Sequence, residues 1–100
     1  MTNPFCTVLR EPKGGPDAVL AGYAAETALL TRAANILSVR GITCRIVVLP
    51  DGATIADVPE KERAALFPEH IPVSGFSAFG SNGAASAEQL ANLVIGVRPA

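Results

Sequence analysis

Few side chains in this 100-residue chain could carry out chemistry, and none of them sits in a catalytic spacing. His70 is the sole histidine, so a multi-histidine metal centre cannot form within one chain. Pro68 and Glu69 place it in a surface turn, where a solvated imidazole is the ordinary reading and acid–base work the alternative. Ser74, Ser77 and Ser81 lie in the string SGFSAFGS, which departs from the Gly-x-Ser-x-Gly elbow of serine hydrolases. Asp57, Glu60, Glu62 and Glu69 bracket Lys61 and Arg63, the pattern of a solvated helix face with pairs three and four residues apart. Gly80, Ser81, Asn82 and Gly83 form a loop ahead of Ser86, and unpaired N–H groups at such a helix start can hold an anion. No phosphate-loop lysine follows, and a plain turn is the competing reading. Gly80, Ser81, Asn82, Gly83 and Ser86 are thus the candidate ligand site, while no catalytic or metal-ligating residue is assigned.

The elements that must position these groups are clearer. Phe5 to Arg10 is rich in strand formers and begins after Pro4. Gly14, Gly15 and Pro16 supply turn chemistry, and Asp17 to Tyr23 (DAVLAGY) is a second strand, expected to pair with the first as a hairpin. From Thr27 to Arg40, Leu29, Leu30, Ala33, Ala34, Ile36 and Leu37 form a helical stripe, with Arg32, Asn35 and Arg40 opposite. Gly41 offers the left-handed position that ends such a helix. Ile42 to Leu49 is nearly continuous in apolar residues, as in a parallel strand buried on both faces, and Pro50-Asp51-Gly52 closes it. Pro59 opens the short helical pattern PEKERAALF with acidic residues in its first turn. Ile71 to Phe79 supplies a fourth strand, weakened by Gly75. Ser86 and Gln89 have capping-box spacing for a helix through Leu93, after which Leu93 to Val97 is a short strand or an extended tail. The expected fold class is α/β, one domain over residues 1–100, with a mainly parallel sheet, one antiparallel edge strand and helices packed on it.

Composition narrows the function classes. The formal charge of −1 and the scattered placement of Arg10, Lys13, Arg32, Arg40, Arg45, Lys61, Arg63 and Arg98 argue against nucleic acid. No run approaches the roughly 18 apolar residues of a membrane helix, so no membrane association is expected. The start MTNPFCTVLREP lacks the basic and apolar regions of a secretion signal, which makes the cytoplasm the expected location. Cys6 and Cys44 sit in strand-like runs and are read as buried thiols. An apolar content of 49% in so small a domain predicts a surface patch that needs a partner, as in a homo-oligomer.

Several segments carry a family resemblance. Thr7-Val8-Leu9-Arg10, the Gly-Gly-Pro-Asp turn, Asp17 to Gly22, the helix with Glu26 and Leu29, and Gly41 to Pro50 (GITCRIVVLP) resemble the C-terminal domain of transketolases. Glu62 to Pro68 and the pair Phe79-Gly80-Ser81 with Ser86 to Leu90 extend the resemblance discontinuously to residue 93. The chain departs from the family at Ala24-Ala25, where a Gly-Ser pair precedes the glutamate, and in a longer loop from Phe79 to Ser86. It also lacks a further strand–helix unit between Pro72 and Gly75. The resemblance implies a non-catalytic domain for assembly, interaction or regulation, for instance the small subunit of a split thiamine-diphosphate-dependent transketolase. It implies no cofactor on this chain alone, with thiamine diphosphate and a divalent metal held elsewhere in a larger transketolase assembly. The alternative expectation is a small-ligand or anion-binding module at the strand C-terminal ends, near Tyr23–Glu26, Pro50–Gly52 and Gly80–Ser86. A free-standing enzyme built on His70 and Ser74 is the third.

Overall fold

The computed structural model describes residues 6–77 and 83–97. Its elements are strand β1 (Thr7–Arg10), strand β2 (Ala18–Tyr23), helix α1 (Thr27–Val39), strand β3 (Cys44–Leu49), helix α2 (Glu60–Leu66), strand β4 (Val73–Gly75) and helix α3 (Ala87–Val97). Single 3-10 turns at Ala24–Glu26 and Ile55–Asp57 follow β2 and β3.

The four strands lie in the order β1-β3-β2-β4. β2 is parallel to β3 on one side and to β4 on the other, while β1 pairs antiparallel with β3. The expected mainly parallel sheet with one antiparallel edge strand is therefore present. The expected β1–β2 hairpin is not: β1 has the antiparallel sense, but β3 lies between the two strands. The linker from Glu11 to Asp17 has ample reach for this. At about 3.3 Å per extended residue it spans far more than the roughly 9.6 Å between next-nearest strands. Ala18 to Ala21 are all fully buried, as a strand flanked by β3 and β4 on both edges requires.

Alternation along the strands divides the core in two. Ala18, Leu20, Cys44 and Ile46 point to one face of the sheet and meet Leu30, Ala33, Ala34 and Leu37 of α1 and Ala87, Leu90, Ala91 and Val94 of α3. Val8, Val19, Ala21, Val47 and Leu49 point to the other face and meet Leu66 and Phe67 at the end of α2 together with Val58. Cys6 belongs to this second face and Cys44 to the first, so the sheet separates the two buried cysteines. Burial pushes the Cys6 thiol pKa up by desolvating its thiolate.

Helix ends follow local chemistry. Gly41 adopts φ +80°, its N–H donates to the Ser38 carbonyl, and the Ile42 N–H reaches back to the Leu37 carbonyl. This is a Schellman closure, with Ile42 turned into the core beyond it. At α3, the Gln89 N–H donates to the Ser86 hydroxyl at 3.1 Å, as a capping serine requires. The Gln89 side chain reaches one residue beyond the expected capping box and accepts from the Ala85 N–H at 2.6 Å. Neither a strand nor an extended tail forms over Leu93 to Val97, because α3 continues to Val97. Val94 completes the stripe begun by Ala87, Leu90 and Ala91, and burying it favours one further turn over an extended end.

Candidate functional site

In an open parallel sheet, ligand sites form where neighbouring strands send their outgoing chains to opposite faces. Here that point lies between the C-terminal ends of β2 and β3, because β2 leads to α1 on one face and β3 to α2 on the other. Three groups converge there: Tyr23, Glu26 and the turn from Pro50 to Asp57.

Tyr23 is the last residue of β2 and, by alternation, turns to the α2 face, where it packs against the second core cluster. Its hydroxyl donates to the Ala53 carbonyl at 2.7 Å, joining the exits of the two strands across the crevice. Ala53 follows a turn closed by its N–H on the Pro50 carbonyl, with Gly52 at φ +80° in the position of a type II turn. Just beyond, Asp57 accepts from the Thr54 N–H at 2.8 Å and its hydroxyl at 3.2 Å, which fixes the start of the next turn.

Gly22, one residue earlier, turns to the α1 face, and the Glu26 carboxylate lies directly over it. A Cβ at Gly22 would fall 2.7 Å from Glu26 Oε1 and 3.1 Å from a Leu30 methyl. The close approach lets Glu26 Oε1 accept from the Tyr23 N–H at 3.0 Å. Its Oε2 accepts from the Ser77 hydroxyl at 2.6 Å and from the Ser77 N–H at 3.4 Å. One carboxylate thus ties the end of β2 to the chain leaving β4. The Glu26–Ser77 pairing joins residues 51 apart, and no spacing in the sequence announces it. The nearest hint was Gly22 four residues before a glutamate at a strand exit.

The opposite end of the strands is held by a second polar clamp. Asp17 and Thr43 precede β2 and β3 and exchange bonds both ways, the Thr43 N–H donating to Asp17 Oδ2 at 3.0 Å and the Asp17 N–H to the Thr43 carbonyl at 2.8 Å. The Thr43 hydroxyl also reaches the Gly15 carbonyl at 3.2 Å. On the α2 face, the largely buried Arg45 guanidinium pairs with Glu11 at 2.7 Å and donates to the Ala65 and Leu66 carbonyls at 3.0 and 2.9 Å. A cation on the last carbonyls of α2 satisfies groups that the helix leaves open.

Of the five candidate ligand residues, Gly80, Ser81 and Asn82 lie outside the described residues. Gly83 is half-buried ahead of α3, and the Ser86 hydroxyl is engaged as the helix cap. His70 and Glu69 are exposed beyond the end of α2, in a depression they share with Glu60, Arg63, Phe67 and Ile55. Ser74 pairs with Leu20 within the sheet. The structure does not bring His70 and the serines together. What it assembles instead is a ring of polar side chains turned on the domain's own backbone.

No family model matches the chain. Over 66 residues it is 44% identical to Transketolase 2 of Xanthobacter flavus, covering 66% of this chain and 10% of that protein. Over 58 residues it is 33% identical to Transketolase 1 of Saccharomyces cerevisiae, covering 58% of this chain and 8% of that one. Crystal structures of Pichia stipitis transketolase share its fold. A mutant form superposes with a TM-score of 0.68 at 19% identity, over 91% of this chain and 17% of that one. A complex with sedoheptulose-7-phosphate gives 0.66 at 20% identity over the same shares. The chain spans about a tenth of the curated relatives it matches. The sequence identity and the shared fold together show that the chain holds a short transketolase-like domain.

Proposed function

We propose that this domain serves assembly rather than chemistry, docking as a small subunit onto the remaining part of a transketolase-like thiamine-diphosphate enzyme. The observation that carries this reading is the destination of the polar groups at the strand exits. Tyr23, Glu26, Ser77, Thr54 and Asp57 all bond within the domain, which suits a rigid scaffold better than a reactive site. The likeness to one small part of two transketolases supports the choice of partner.

Among the described residues no three His, Cys, Asp or Glu side chains are grouped as metal ligands, and both Glu26 oxygens already accept hydrogen bonds. In this reading the partner holds thiamine diphosphate and the divalent metal, and the chain alone takes up neither. Among the described residues no helix is long and apolar enough to cross a membrane, so docking to a protein is the interaction to test.

The test uses Transketolase 2 of Xanthobacter flavus from which the matching segment has been deleted. The immobilised chain should capture that truncated enzyme and leave the intact one in solution, since the intact enzyme already fills the position. Equal capture of both, or capture of neither, contradicts the proposal.

A further inference from the structure

A depression of roughly 660 Å³ lies on the α2 side of the sheet, between α2, the turn at Ile55–Asp57 and the chain that leaves α2. Glu60, Arg63 and Phe67 follow one another at intervals of a helical turn, so one face of α2 makes its wall. Ile55, Phe67 and Pro68 give it apolar lining, and Glu69 and His70 complete it.

Arg63 sets this depression apart. Among the described residues, Arg10, Arg32, Arg45 and Arg63 are the half-buried arginines. Arg10 bonds to Asn35, Arg32 pairs with Glu88, and Arg45 pairs with Glu11. Arg63 has no side-chain partner among the described residues, and its one bond is a long one to the Ala56 carbonyl at 3.4 Å. A guanidinium with most of its N–H donors open, set beside apolar side chains, is a fork that a carboxylate fits with two bonds. Glu60 lies one turn earlier on the same helix face, at ion-pair spacing, yet neither it nor Glu69 pairs with Arg63. One cation and two carboxylates are therefore held apart around an apolar lining. A simple anion would be repelled by the two carboxylates. A ligand that answers every part carries a carboxylate, an ammonium group and an apolar body.

We propose that this depression binds a zwitterionic α-amino acid with a large apolar side chain. Its carboxylate bonds to Arg63, its ammonium group is drawn by Glu60 and Glu69, and its side chain covers Phe67 and Pro68. The proposal does not rest on the docking reading, because it concerns the chain alone.

Titration of the isotope-labelled full chain with L-phenylalanine, followed by amide chemical shifts, tests it. Shifts should be confined to residues 55–70 and saturate in the millimolar range, the scale for so small a ligand on an open surface. Arg63→Gln should weaken binding at least about tenfold. Arg40→Gln, at the end of α1, should bind as the parent does. Phenylalaninamide, which lacks the carboxylate, and N-acetylphenylalanine, which lacks the ammonium group, should each bind more weakly than phenylalanine. Glu69 is exposed, so Glu69→Gln should leave the fold intact while weakening phenylalanine and sparing N-acetylphenylalanine. The absence of saturating shifts through tens of millimolar overturns the proposal. So do shifts spread over α1 and α3, binding that survives Arg63→Gln, or equal affinity for N-acetylphenylalanine.

Discussion

The two faces of the sheet solve the same burial problem differently. On the α1–α3 face, two helices of three or more turns lay complete apolar stripes on the strands, and alanines at 33, 34, 87 and 91 let them pack closely. On the α2 face, a helix of two turns contributes little beyond Leu66, with Phe67 just after it, and the cover is completed by turn residues such as Val58. There polar clamps do much of the fastening: Arg45 on Glu11 and the α2 carbonyls, and Tyr23 on Ala53. The thick face is held by apolar burial and leaves apolar side chains over. The thin face is held by directional bonds and leaves charge at its surface.

The comparison is breakable by mutation, and the largest effect is expected in the thick face. Leu37→Ala should cost about 3–5 kcal/mol in urea unfolding, and Leu66→Ala on the thin face about 2–3. Equal losses would mean that α2 is as deeply fastened as α1. Next comes Arg45→Met, which keeps the aliphatic volume but removes charged bonds to Glu11 and two carbonyls. A loss of about 1.5–3 kcal/mol is expected, with faster hydrogen exchange confined to α2. Exchange that quickens evenly over both faces would contradict the role given to Arg45.

A somewhat smaller loss, about 1–3 kcal/mol, should follow Gly22→Ala, whose Cβ displaces the Glu26 carboxylate and presses on Leu30. The cost should shrink when Glu26 is already alanine, since the two changes act on one contact. Strict additivity would show that the clasp is not the cause.

The smallest effect concerns Glu88. Its pKa lies below the ordinary carboxylate range, first because of a hydrogen bond from its own backbone N–H and then through Arg32. A depressed folded pKa stabilises above the unfolded value and loses that contribution as pH falls through the folded one. Melting curves of the parent and Glu88→Gln should therefore differ slightly near neutrality and converge in acid. A gap that widens in acid would reverse the assigned sign.

Much of this architecture could be read from residues alone, for identifiable reasons. α1 and β3 were legible because Leu30, Ala33, Ala34 and Leu37 repeat with helical period and Gly41 marks the stop. The sense of β1 was legible as well. Its neighbour was not, because pairing depends on which strand is most buried, and that competition is settled only when β3 and β4 both claim β2. Leu29 belonged to the expected stripe yet lies at its exposed margin, since the stripe is narrower than its apolar residues allow. The clasp of Glu26 on Ser77 was hidden because it joins the exits of two strands distant in sequence. His70 was legible as a surface-turn residue from Pro68 and Glu69, and it is exposed beyond the end of α2.

The account rests on the claim that a transketolase-like domain acts here by docking. Light scattering of this chain mixed with Transketolase 2 of Xanthobacter flavus lacking its matching segment tests that claim most directly. The account predicts one peak whose mass is the sum of the two components, with a defined stoichiometry. Two separate peaks, each with the mass of its isolated component at every mixing ratio, would contradict it.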